Sequence, residues 1–253
     1  MKPWVRRASA PGPDGNELTF DERDGELVIR SGGQVLMSSA RHGSEEAMAA
    51  AALDGLDAKN PAVLIGGLGL GFTLRAALDR LPRNATVVVA ELSKALVEWS
   101  PQFAALTGSA ATDPRVSLEV VEVGAKLARS TQAFDAVLLD VDNGPSALSR
   151  RGNQELYSVP GLDRARQALR PGGVLVVWSA GPDGVFMERL RKAGFEAKAR
   201  EVPVREGTRA KHTLFIARRP ATSSRASPRT RERTPPAGPA HQPGRSGRGG
   251  RAR

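Results

Sequence analysis

Residues Ala62-Val63-Leu64-Ile65-Gly66-Gly67-Leu68-Gly69-Leu70-Gly71-Phe72 decide the fold. A short apolar run that stops at glycine reads as a strand buried on both faces. The glycines make a turn, and Thr73-Leu74-Arg75-Ala76-Ala77-Leu78 starts a helix directly after it. Gly66 and Gly67 close the strand. Gly67, Gly69 and Gly71 remove side chains where backbone must take positive φ or come close to a ligand. Amides at the start of the following helix would face that ligand. The dinucleotide fingerprint places its third glycine three positions after the second. From Gly69 that position is Phe72, so a dinucleotide fits poorly.

Working outward, strands and helices alternate. Thr86–Leu92 is a second strand, and Ser93 caps a helix over Lys94–Trp99. Val116–Glu122 and Phe134–Asp140 are the third and fourth strands, and Val174–Trp178 is the fifth. Short helices are expected over 101–106 and 124–129, with longer ones over 156–169 and 186–193. Phe195–Val204 and His212–Arg218 then follow each other with no room for a helix between them. They read as an antiparallel closing hairpin. Upstream, Leu18–Phe20, Glu26–Arg30 and Gln34–Ser38 form a small β unit with a Gly32-Gly33 turn. An Ala-rich helix over 43–56 comes next, with Ser44 as its cap and Glu45 and Glu46 in its first turn.

The fold class is therefore α/β, a Rossmann-like seven-stranded sheet closed by an antiparallel hairpin. Five strand–helix units and that hairpin make the class I AdoMet-dependent transferase arrangement. The alternating spacing Gly67-x-Gly69-x-Gly71 is the one seen in nucleoside-sulfonium sites, with a plain tight turn as the competing reading. The expected organisation is a flexible segment over 1–16, a β unit plus helix over 17–56, the Rossmann-like domain over 57–219, and a disordered tail over 220–253.

Composition limits the chemistry. With no cysteine there is no thiolate zinc site, disulfide or thiol nucleophile, and His42, His212 and His241 are too scattered for a metal site. No metal is expected, nor any membrane span or secretory signal, so a cytoplasmic protein is the default. The net charge is +10, but residues 220–253 hold eight arginines and one acid, which leaves +3 for the remainder. Basicity belongs to the tail. Its Pro, Gly, Ser and Arg content cannot bury enough apolar surface to offset ordering. Weak, salt-sensitive contact with nucleic acid or another polyanion is the functional reading of this tail.

Several polar residues fall at strand ends, where open α/β sheets bind ligands. Glu91 ends the second strand and can accept hydrogen bonds from both ribose hydroxyls of an adenosyl group. Glu122 and Gly124 follow the third strand, where adenine would lie. Asp140 and Asp142 follow the fourth. A sulfonium is already a good leaving group, so positioning supplies most of the acceleration. An amine nucleophile must lose a proton, which a neighbouring carboxylate can accept. The competing reading is a polar turn over Asn143-Gly144-Pro145 capped by the aspartates. Tyr157 either touches substrate or packs in the core, and the same choice holds for Trp178. His42, beside Glu45-Glu46, is a candidate for the acceptor pocket.

The order of these features resembles the spermidine synthase (polyamine aminopropyltransferase) family. The resemblance runs from about Glu26 to Arg218. It rests on the β unit, Gly66-Gly67…Thr73-Leu74-Arg75, Glu91, Asp113-Pro114-Arg115-Val116, Phe134-Asp135 and Asp140. Gly144-Pro145, Leu156-Tyr157-Ser158 and Leu169-Arg170-Pro171-Gly172-Gly173 complete it. It implies aminopropyl transfer from decarboxylated S-adenosylmethionine or a similar donor to a small-molecule amine, Asp140 acting on the attacking nitrogen, and no prosthetic group; a second copy of the chain, as a homodimer, is a candidate partner on which the sequence is silent.

Three positions depart from the family pattern. Leu70 stands where an aspartate binds the donor's aminopropyl amine and Gly124 where an acid contacts adenine, with Glu122 close by; the second acid of the Asp-x-x-Asp-Pro motif has become Asn143 or has shifted to Asp142. A donor that keeps its carboxylate would not need an acid at Leu70. The alternatives are thus an S-adenosylmethionine-dependent methyltransferase acting on a small molecule or RNA, and a non-catalytic binding protein on the same fold.

Overall fold

The computed structural model describes residues 2–141, 145, 151–204 and 208–221. All of these lie in one of two units, Met1–Thr222, and the other unit, Ser223–Arg253, falls outside them. The chain begins with four antiparallel strands, β1 (Val5–Pro11), β2 (Glu17–Arg23), β3 (Glu26–Ser31) and β4 (Gln34–Ser38), paired in that order. Strand β1 corrects the expected loose segment over 1–16. Its alternation of small and charged residues is too weak to read as a strand alone, and pairing with β2 supplies the missing partners. Trp4 adds an anchor, with the guanidinium of Arg23 4.2 Å from its ring centre.

Helix α1 (Gly43–Leu53) leads to β5 (Ala62–Gly66), the strand that opens the sequence argument. Then come α2 (Phe72–Leu78), β6 (Thr86–Glu91), α3 (Lys94–Trp99), α4 (Ala104–Thr107), β7 (Val116–Val120), α5 (Val123–Ala128) and β8 (Phe134–Leu139). The expected helix over 156–169 is two helices, α6 (Arg151–Leu156) and α7 (Val159–Ala168), because Ser158 caps a new start ahead of Pro160. Strand β9 (Leu169–Ser179), helix α8 (Gly184–Lys192) and the antiparallel pair β10 (Glu196–Pro203) and β11 (Lys211–Arg218) complete the unit.

The large sheet has the order β10-β11-β9-β8-β5-β6-β7. Ile65 and Val63 point into a core shared with α1 and α2, and Leu64 points to the opposite core with α5, α7 and α8. All three are fully buried, worth about 1.5–3 kcal/mol each. A continuous apolar run is what a two-sided sheet requires. A third cluster bolts the N-terminal sheet to the rest: Leu18, Phe20, Leu27 and Ile29 meet Leu70, Trp99 and Phe103. The Phe20 ring stands edge-on to Phe103, with centroids 5.2 Å apart.

Two motifs that carried the family resemblance are structural. Asp135 accepts from the Ala62 amide at 2.8 Å and from Arg170 at 2.6 Å, tying the starts of β5, β8 and β9. Arg115 grips Asp113 and donates to the carbonyls of Leu78 and Leu81 at the end of α2. That grip holds Asp113 down at about 2. Among the described residues no helix is long and apolar enough to cross a membrane.

Candidate functional site

The strand order reverses between β5 and β8, so a crevice opens where their carboxyl ends diverge. Gly66 and Gly67 end β5 on one side, and Asp140 follows β8 on the other. The Asp140 amide donates to the Gly66 carbonyl at 3.0 Å. Gly67 has φ of +91°, and a Cβ there would lie 2.4 Å from the Asp140 carbonyl oxygen. Glycine is demanded twice, by conformation and by space.

The loop amides are mostly engaged by the protein itself. Gly67 donates to Ala90 and Gly71 to Leu68. Leu68 donates to Glu91 Oε2 at 2.8 Å, and Ser93 donates to Glu91 Oε1 at 2.7 Å. Glu91 therefore holds the glycine loop, and the amides of Leu92 and Gly69 also bear on its carboxylate. Burial pushes the Glu91 carboxyl up, and the amides of Leu68 and Ser93 work against that shift. The Leu70 amide is met at 2.9 Å by Sδ of Met37 on β4. A Cβ on Gly69 would lie 2.3 Å from that same thioether, so Gly69 is the gap Met37 fills. Nothing in the local sequence pairs Met37 with Gly69; only the docking of the small sheet does.

Leu70 itself turns away from the crevice into the third core cluster. The position where the family pattern has an aspartate thus serves to anchor the N-terminal sheet.

Across the crevice, Asp140 is half-buried, and Thr73 Oγ1 donates to its Oδ2 at 3.2 Å. Its carboxyl is pushed up to about 7, first by burial, then by the negative charge of Glu45, with Thr73 opposing. Sequence reasoning placed Glu45 only in the first turn of α1. The structure brings it to Asp140, 95 residues later in the chain. Ser44 is not the expected cap, since His42 takes that position without a side-chain bond. Ser44 donates instead to Glu45 Oε2 at 2.6 Å. His42 stacks on Phe72 at 4.4 Å and bonds Glu46 at 2.9 Å. Trp178, at the end of β9, is half-buried with the ring of His212 4.6 Å away.

The remaining candidates divide. Glu122 caps the start of α5 and is exposed. With Gly124 it lines a cleft of about 230 Å³ that also touches Leu156 and Arg164. Val123 ties this cleft to the loop, because a Cβ on Gly66 would lie 2.9 Å from its Cγ2. Tyr157 is 2 % exposed, edge-on to Phe186 at 5.5 Å in the second core cluster, which is a packing position. Asp142 lies outside the described residues, as do Asn143, Gly144 and the tail from 222 onward.

The arrangement is thus a glycine-walled crevice flanked by a carboxyl that burial and a neighbouring acid push up to about 7. Compared with known proteins, residues 42–189 match the model of the spermine/spermidine synthase domain. The chain belongs to this family. Putrescine N-methyltransferase 3 of Nicotiana tabacum is 34% identical over 117 residues, 45% of this chain and 28% of that protein. Polyamine aminopropyltransferase 2 of Pseudomonas aeruginosa is 35% identical over 120 residues, 46% of this chain and 32% of that protein. The match spans about a third of the length of these relatives. The spermidine synthase of Thermotoga maritima shares the fold, with a TM-score of 0.68 at 17% identity over 84% of this chain and 72% of that one. A probable spermidine synthase of Corynebacterium glutamicum gives 0.62 at 15% identity, covering 86% and 81%.

Proposed function

We propose that this protein transfers an alkyl group from an AdoMet-type sulfonium donor to a small amine, with Asp140 as the proton acceptor. The observation that carries the reading is Asp140, which combines a place at the β5–β8 divide with a carboxyl raised to about 7. A base poised near working pH is protonated and deprotonated with little cost in either direction. Gly66, Gly67, Gly69 and Gly71 let the donor approach the backbone, Glu91 accepts from the ribose hydroxyls, and the Glu122–Gly124 turn faces the adenine. The ammonium form of the acceptor gives a proton to the Asp140 carboxylate, and the nitrogen lone pair so freed attacks the carbon on sulfur. The carbon–sulfur bond breaks and its electron pair leaves on a neutral thioether. Positioning by Thr73 and Glu45 keeps the acid where the nitrogen must be.

Within this class, aminopropyl transfer is the reading that the family resemblance implies. Methyl transfer from intact S-adenosylmethionine is favoured by one observation, that Leu70 is committed to the apolar cluster and its amide to Met37. No carboxylate stands there to hold the ammonium of an aminopropyl group. Relatives of both kinds match the chain. A cytoplasmic setting, a homodimer and polyanion contact through residues 220–253 belong to the same proposal. Calorimetric titration with S-adenosylmethionine and with its decarboxylated form, followed by turnover on a diamine, tests it. Binding of one donor and loss of turnover in Asp140→Asn support the reading; binding of neither donor ends it.

A further inference from the structure

His212 and Ser44 take no part in the chemistry above, yet they form a directed chain that ends on Glu45. The Ser44 hydroxyl has a single hydrogen, and it is given to Glu45 Oε2 at 2.6 Å. Toward His212 Nδ1, 3.1 Å away, the same oxygen can only accept. The neutral imidazole must then carry its proton on Nδ1. The rest of the ring's surroundings agree. It lies half-buried with Trp178 4.6 Å away, and burial together with the charge of Arg41 holds the imidazole below its ordinary range. Ser44 is 3 % exposed, so water does not compete for the hydroxyl. The two ends of this chain come from distant segments, α1 and β11, held together by packing between them and by Arg200 of β10 donating to the Ala47 carbonyl.

Helix α1 also packs against α2 and β8, the elements that carry Thr73 and lead to Asp140. We propose that His212, acting through Ser44, fixes the Glu45 carboxylate toward Asp140 and makes Glu45 the second acid of the acceptor site. The inference rests on the reading of Asp140 as the acceptor-side acid. His212 is a positioning residue here, since it touches Ser44 and not the amine. Two carboxyls facing one crevice share a proton when empty and shed it when a cation enters. Other charges act on the pair as well. His42 and Glu46 of the same helix turn bear on Glu45, and Thr73 donates to Asp140. A bond that aims Glu45 at the crevice, rather than at solvent beside Glu46, therefore governs how tightly an amine is held.

The test follows the Glu45 carboxyl carbon by NMR titration, assigned with Glu45→Gln, in the full chain and in Ser44→Ala, His212→Phe and His212→Asn. Phenylalanine keeps a ring against Trp178 but has no donor, whereas asparagine restores an N–H near the place of Nδ1. Losing one hydrogen bond of about 1 kcal/mol should raise the Glu45 titration by about half a pH unit or more in Ser44→Ala and His212→Phe. The same two variants should raise KM for putrescine about threefold to tenfold, with kcat within about twofold. His212→Asn should restore both readouts. Identical titrations in all four proteins, or equal displacement in His212→Asn and His212→Phe, overturn the proposal. If the wild type transfers from neither donor, the functional reading fails while the titration still decides this one.

Discussion

Two carboxyls stand at strand ends on either side of the crevice, Glu91 buried and Asp140 half-buried, and the two are equipped differently. Glu91 accepts two backbone amides from the segments it joins. Among the described residues Asp140 has one weak hydroxyl donor and a second negative charge nearby. Both are pushed up by burial, but only Asp140 also faces a like charge, and it reaches about 7. A carboxylate tied by amides is a fixed strut. One left beside another acid in a half-dry crevice is ready to take a proton and to welcome a cation. The same side-chain chemistry thus does two jobs, set by what surrounds it.

Removing Asp140 should have the largest effect. Asp140→Asn should lower kcat at least about a hundredfold, as for loss of a general base. Its stability should move the other way. A carboxyl raised by folding is neutral in both states below about pH 4, and folding is penalised increasingly as the pH rises through 7. Asparagine removes that penalty, so Tm should rise at pH 8 and hardly change at pH 4. Next comes Gly67→Ala, where a positive φ and the Asp140 carbonyl 2.4 Å from the new carbon combine. A stability loss of about 1–3 kcal/mol is expected in chemical denaturation. Donor binding should weaken with it, because the divide between β5 and β8 must open. Glu91→Ala should cost about 1–3 kcal/mol by stranding the Leu68 and Ser93 amides. If Glu91 were only a ribose ligand, denaturation would be unchanged and only donor affinity would fall. The smallest effect should be that of Thr73→Val. It removes the hydroxyl donor to Asp140 and should move the midpoint of the pH–rate profile upward by about half a unit.

Much of this contrast was legible in the chain. The Ala62–Phe72 stretch, its glycine spacing and the closing hairpin lead to the sheet order, because periodicity and turn chemistry are local. Ser93 caps α3 as expected, its hydroxyl accepting from the Leu96 amide at 3.4 Å. Asp140 and Glu91 stand at strand ends, where sequence position and sheet geometry coincide. Strand β1 was not legible, since residues 5–11 have no alternation strong enough to announce a strand before β2 pairs with them. Glu45, Met37 and His212 were illegible as site neighbours for a different reason. Each meets its partner, Asp140, the Leu70 amide or Ser44, through packing between segments far apart in sequence, and neither spacing nor propensity encodes such a meeting. Leu70 shows the converse: read as a missing acid, it is a buried anchor for the N-terminal sheet.

The central claim is that Asp140 accepts the proton of the attacking amine. The most direct measurement is the pH dependence of kcat/KM with putrescine and whichever sulfonium donor the protein binds, for wild type and Asp140→Asn. The account predicts a limb that rises with pH and bends near 7 in the wild type, and its disappearance in the variant. A flat profile from pH 5 to 9, or an Asp140→Asn protein with the same bend and the same rate, would contradict it.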